Sequence, residues 1–119
     1  MQIEVEIWIR AKDVATTVQI NSIPREPEAW VDDDVRVLLE AMLNAMNEAN
    51  TPGQGTRVAA LRGFSWIVNP FEGGVLIAIE MTLGAAVAGP FVIEKARLEA
   101  MITRVMASTG SSSPSTAVH

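Results

Sequence analysis

Residues 2–10, QIEVEIWIR, decide the fold, because a valine or isoleucine occupies every second position from Ile3 to Ile9. The positions between them carry polar residues and one tryptophan, Trp8. Strict alternation is the period of a strand with one buried face. Residues 16–23 alternate again, so a tight turn at residues 12 and 13 predicts a hairpin. In this hairpin, we expect the opposed pairs to be Ile7 with Val18 and Val5 with Ile20.

The period changes to that of a helix after the prolines and acidic residues that follow the hairpin. Apolar residues recur at helical spacing from Val35 to Ala49, which predicts an amphipathic helix of about four turns. Asp32, Asp33 and Asp34 precede it and suit its positive end. Residues 50–55 contain proline and glycine and end it.

A second hairpin is predicted from residues 58–68 and 75–83, joined by a turn at 70–73. Its expected cross-strand pairs are Phe64 with Met81, Trp66 with Ile79 and Val68 with Ile77. Residues 84–90 are small, and we interpret them as a loop. Gly89 and Pro90 then suit the start of a last helix, which ends near Ala107.

The predicted order is therefore strand, strand, helix, repeated once. This order favours an α+β two-layer sandwich, an antiparallel sheet of about four strands with two helices on one face. We expect one domain over residues 1–108 and a disordered Ser/Gly-rich tail over 109–119.

Composition excludes several classes of chemistry. The 119 residues contain no cysteine, which removes disulfides, thiolate catalysis and cysteine-ligated metals. The single histidine, His119, lies in the tail, so a positioned imidazole is not expected. No stretch matches a catalytic or family motif. The sequence therefore predicts no cofactor and no metal site.

Charge and hydropathy also limit the partners. A net charge of −5 with 5% aromatic residues disfavours nucleic-acid binding. Residues 74–93 are apolar over the length of a membrane span, but Glu80 and Pro90 argue against insertion. The carboxylates of Glu4 and Glu6 stand where a secretion signal is basic, so we expect a cytoplasmic protein with no membrane partner.

Two groups of acidic residues are candidates for chemistry. The run from Glu26 to Asp34 lacks the ligand spacing of a calcium loop, and helix capping accounts for it. Glu80 and Glu6, with Arg62, are weak catalytic candidates, because two neighbouring carboxylates can divide acid and base roles. Alternatively, Glu80 forms a structural ion pair with Arg62, Arg10 or Lys95.

The outward face of the sheet is the candidate partner surface. The alternation that buries Ile7 and Ile9 directs Trp8 outward, and large aromatic residues on exposed faces often mark contacts. The second hairpin adds three apolar residues to this face: Leu61, Ile67 and Leu76. Alternatively, Trp8 lies flat on its own sheet or is covered by residues 24–34 with Trp30.

These observations favour a non-enzymatic protein-interaction module that self-associates, as a homodimer, through the outer face or a strand edge. The alternative is a small-molecule-binding protein or a carboxylate-dependent enzyme. Its pocket would lie between sheet and helices or between subunits.

Overall fold

A computed structural model of the protein describes residues 2–10, 15–50, 64–82 and 84–109. Five strands and two helices are formed by these residues. They are β1 (Ile3–Ile9), β2 (Thr16–Ile20), α1 (Asp32–Asn50), β3 (Ser65–Phe71), β4 (Gly74–Met81), β5 (Gly84–Phe91) and α2 (Lys95–Thr109). A single 3-10 turn, Pro27–Ala29, precedes α1.

The strands form one antiparallel sheet in the order β2-β1-β5-β4-β3. Both helices cover one face of it, here called the inner face, and the opposite face is called the outer face. Strand β1 shows the division most clearly, because every second residue from Ile3 to Ile9 is buried and the residues between them are exposed. The predicted α+β two-layer sandwich is confirmed, with five strands where about four were predicted.

The additional strand is β5, and the loop predicted for residues 84–90 is wrong. These residues are Gly, Ala, Val and Pro, whose small side chains conceal the alternation of a strand. Ala86 and Ala88 are nevertheless buried on the inner face. Gly89 and Pro90 lie in a bulge within β5, opposite Leu76, and do not begin a helix. Helix α2 begins only at Lys95 and extends to Thr109.

Strand β5 contacts β1 so closely that a side chain does not fit at Gly84. A Cβ atom at this position would overlap the backbone carbonyl oxygen of Trp8. Gly84 pairs with Ile9 at the end of the ladder that joins the two hairpins. The glycine therefore permits the central strands of the sheet to meet.

Hairpin registers test the predicted pairs. In the second hairpin, Trp66 pairs with Ile79 and Val68 with Ile77, as predicted, while β3 begins at Ser65, after Phe64. Its two turn residues, Glu72 and Gly73, both have positive φ, as a tight type I′ connection requires. The predicted pairs of the first hairpin are wrong by two residues. The observed pairs are Val5 with Val18 and Ile7 with Thr16.

A shift of two residues keeps each side chain on its predicted face, because the strand period is two. The alternation therefore determines the face, whereas the turn geometry determines the register. The predicted turn at residues 12 and 13 and the strand residues 58–63 lie outside the described residues, as do Leu83 and the tail beyond Thr109.

The core lies between the inner face and the helices. Leu38, Leu39 and Met42 of α1 and Leu98 and Ile102 of α2 are fully or almost fully buried in it. Trp30 closes one end of this core. Its ring meets Phe91 edge-on, with the ring centroids 4.9 Å apart, and its indole N–H donates to the Arg25 carbonyl oxygen at 2.9 Å.

We expect Gly84→Ala to reduce the free energy of unfolding by about 1–3 kcal/mol, the usual cost of overpacking. The reason is the contact between the new methyl group and the backbone of Trp8. Urea unfolding followed by circular dichroism measures the loss. Gly73→Asn is the control, because its added side chain meets nothing within 4 Å and asparagine tolerates a positive φ. Equal stability of the two variants would contradict this account of the β1–β5 contact.

Candidate functional site

The outer face of the sheet carries the described residues that the sequence predicts to bind a partner or to act in catalysis. The registers place its side chains in rows that run across the strands. One row contains, in strand order, Thr17, Glu6, Val87, Ala78 and Ile67. The next contains Trp8, Ala85, Glu80 and Ser65. A third contains Gln19 and Glu4 on one side and Leu76 and Asn69 on the other, with the β5 bulge between them.

Three of the four predicted partner-binding residues lie on this face. Trp8 is 42% exposed and Ile67 is 52% exposed, while Leu76 is partly buried. Leu61 lies outside the described residues. Trp30 is fully buried in the core, so it does not cover Trp8. Trp8 and Ile67 stand on strands separated by β5 and β4, which places them roughly 14 Å apart across the sheet.

Small side chains occupy the centre of the face between Trp8 and Ile67. Ala85 and Ala78 lie there on β5 and β4, next to Val87. Leu76 packs over Gly89, where its Cδ2 atom is 3.1 Å from the position that a Cβ would take. The centre of the face is consequently a low apolar surface with two bulkier exposed residues at its sides.

The two carboxylates considered for catalysis do not meet. Glu6 is on β1 and Glu80 is on β4, with β5 between them and an offset of two residues along the strands. This arrangement separates their Cα atoms by about 12 Å. Arg62, the third candidate, lies outside the described residues.

Glu80 pairs with Arg10, which is one of the three cations considered for it. The Nη2 atom of Arg10 lies 3.7 Å from Oε2 of Glu80, and both side chains are about two-thirds exposed. Nε of Arg10 also donates to the Thr82 carbonyl oxygen at 2.9 Å. An ion pair this exposed contributes little to stability. It does neutralise the one charge on β4 that belongs to the outer face.

The aspartates at the start of α1 are held by arginines and by the backbone. Asp34 is buried, accepts two hydrogen bonds from Arg25 at 2.8 and 3.0 Å, and accepts one from the Val31 amide at 3.0 Å. The last bond caps the helix from its third residue. Asp33 pairs with Arg36 on the same helix. Within the part of the chain that the structure describes, no group of residues has the composition of a metal site.

An arginine pair on α2 ties this segment to the second helix, and the sequence analysis did not identify it. Arg104 donates two hydrogen bonds of 2.8 Å to Asp32. Arg97, seven residues earlier, donates to the carbonyl oxygens of Glu28 and Trp30, each at 2.8 Å. Seven residues are close to two helical turns, so both arginines lie on one side of α2. The seven-residue spacing of Arg97 and Arg104 is the feature of the sequence that could have identified this pair.

Shallow open depressions lie beside Arg97, Arg104 and Arg10. The guanidinium groups of these arginines already donate hydrogen bonds to other residues. One depression is lined by Trp30, Val31, Arg97 and Arg104, among other residues. Another lies beside Glu80 and Arg10 at the edge of the outer face. No helix among the described residues has the length and apolar character that crossing a membrane requires.

Hydrogen bonds from Arg104 lower the pKa of the Asp32 carboxyl below its ordinary value of 3.8. The same contact raises the pKa of Arg104, and contacts with Asp33 and Glu40 raise that of Arg36. A lowered folded-state pKa means that the ionised carboxylate is preferred in the folded protein. The contact of Asp32 with Arg104 therefore stabilises the fold fully above the unfolded-state pKa of the Asp32 carboxyl. This stabilisation is lost as the pH falls through the folded-state pKa of the same group.

Comparison of the chain with protein-family models, curated proteins and solved structures gives no match.

We expect Asp34→Ala to reduce the free energy of unfolding by about 2 kcal/mol, because it removes a helix cap and leaves Arg25 without its carboxylate. Asp33→Ala is the matched control, because the Asp33 side chain is 67% exposed and its ion pair is local to α1. Urea unfolding of both variants measures the difference. An equal loss from the two substitutions would contradict the assigned role of Asp34.

We expect the Asp32 carboxyl to titrate below its ordinary pKa, and we expect Arg104→Gln to raise its pKa towards that value. Carbon-detected NMR titration of the side-chain carboxyl group measures both pKa values. Circular dichroism of the Arg104→Gln variant verifies that the fold is retained. An unchanged Asp32 titration in the Arg104→Gln variant would show that the interhelical contact does not form in solution.

Proposed function

We propose that the protein is a non-enzymatic interaction module that self-associates as a homodimer through the outer face of its sheet. The observation that carries the proposal is the exposure of Trp8 and Ile67 on either side of a small apolar centre. Contiguous apolar surface on a small protein usually marks a site of association. Symmetric dimers are the commonest oligomers.

The size of the face supports the proposal. Five strands about 4.8 Å apart, each about seven residues long, span roughly 24 Å by 24 Å. This footprint is of the same order as the ~800 Å² that each partner buries in a standard interface. Tryptophan is the residue most enriched among those whose truncation weakens such interfaces.

The charges support a binding role over a catalytic one. Glu6 and Glu80 are separated by a whole strand, and Glu80 is paired with Arg10. We therefore do not propose the small-molecule or carboxylate-dependent alternative. A cytoplasmic location and the lack of a nucleic-acid partner stay predictions.

Light scattering at micromolar concentration, together with native mass spectrometry, tests the proposal. We expect a dimer, and we expect Trp8→Glu to weaken it about 30-fold or more, which corresponds to a loss of about 2 kcal/mol for a large aromatic residue in the interface. Val92→Glu is the matched control, because Val92 is 60% exposed and lies outside the sheet, between β5 and α2.

Circular dichroism of both variants separates dissociation from unfolding. A monomeric parent protein, or a dimer that Trp8→Glu and Val92→Glu weaken equally, would overturn the proposal. A dimer that neither substitution changes would place the interface away from the outer face.

A further inference from the structure

We infer that the second copy stacks face to face with the two-fold axis running along the strands, between β5 and β4. This inference rests on the proposed self-association and adds its geometry. It follows from two properties of the outer face, namely where its charges lie and how its large and small side chains are distributed.

The charges of the described outer face are concentrated on one side. Glu4 and Glu6 are exposed on β1, and among the described residues neither forms an ion pair. The outer positions of β5, β4 and β3 carry a single charge, Glu80, and Arg10 pairs with it. The face therefore has an acidic side at β1 and a nearly neutral side at β4 and β3.

This asymmetry argues against two placements of the axis. An axis across the strands would stack each strand on its own copy and bring the Glu4 and Glu6 carboxylates of both copies together. An axis centred on β1 would have the same effect. Four unpaired carboxylates that face one another inside an interface are unfavourable, because their mutual repulsion is not compensated.

An axis along the strands between β5 and β4 avoids the repulsion. It places β5 of one copy over β4 of the other, and β1 over β3. β1 and β3 are then the outermost stacked strands, so Glu6 lies beside Ile67 and Glu4 beside Asn69 at the rim of the interface. The carboxylates stay in contact with water there, and the Asn69 amide can donate to Glu4. No carboxylate faces another carboxylate across the interface.

The same axis also matches large side chains with small ones. Val87 of one copy faces the smaller Ala78 of the other. Glu80 faces Ala85, which leaves space for its contact with Arg10. A two-fold axis requires a surface that is complementary to itself, and these pairs satisfy that requirement. Stacked sheets commonly align within about 30°, which keeps the pairs near the axis in contact.

Distances between spin labels test the geometry, and the chain contains no native cysteine to interfere with labelling. The labelled variants are Gln19→Cys on β2 and Asn69→Cys on β3, both exposed in the same row of the outer face. With strands about 4.8 Å apart and sheets about 10 Å apart, the proposed axis separates the two copies of position 69 by about 17 Å and those of position 19 by about 26 Å.

Double electron–electron resonance of each labelled dimer gives the two distances. We expect the distance at position 69 to be shorter by about 9 Å, with the dimer verified by native mass spectrometry on the same labelled samples. Equal distances indicate an axis across the strands or one centred on β5, and a shorter distance at position 19 indicates an axis at β1 or pairing of β2 edges. Either result overturns this inference while self-association stands. A monomeric unlabelled protein overturns both proposals.

Discussion

The contact between β1 and β5 is the constraint on which the rest of the structure depends. The two hairpins are separate units in the chain, and they become one sheet only where Gly84 allows the backbones of β5 and β1 to meet. Ala86 and Ala88 then leave room for the helices on the inner face. A strand with larger side chains would fill the space that the core of α1 and α2 occupies.

The same small residues give the outer face its character. Because β5 presents Ala85, Val87 and Gly89 outward, the centre of the face is low and the bulk of Trp8 and Ile67 stands at its sides. Among the described residues, the β4 and β3 side of this surface is nearly neutral, and the depression beside it is shallow and open, unlike a concave pocket that encloses a small molecule. The extent of the outer face and its distribution of charge suit a flat protein partner, which is the basis of the proposed self-association.

Most of the acidic residues near α1 have structural roles. Asp34 caps the helix, and Asp32 connects it to Arg104 on α2, while Arg97 holds the backbone of the preceding turn. These contacts fix Trp30 over Phe91 at the end of the core. Because Asp32, Asp33 and Asp34 are paired with arginines, they add little to the net negative charge of the chain.

The sequence by itself determined the faces of β1 and β4, both helices and the outward position of Trp8, because periodicity depends only on neighbouring residues. Periodicity is weak among small side chains, so β5 was recognised only in the folded sheet. The strand order, the shift of two residues between β1 and β2, the separation of Glu6 from Glu80 and the contact of Arg104 with Asp32 were decided by the tertiary structure. Each of these depends on contacts between distant residues, which are set by packing and turn geometry and leave no local pattern in the chain.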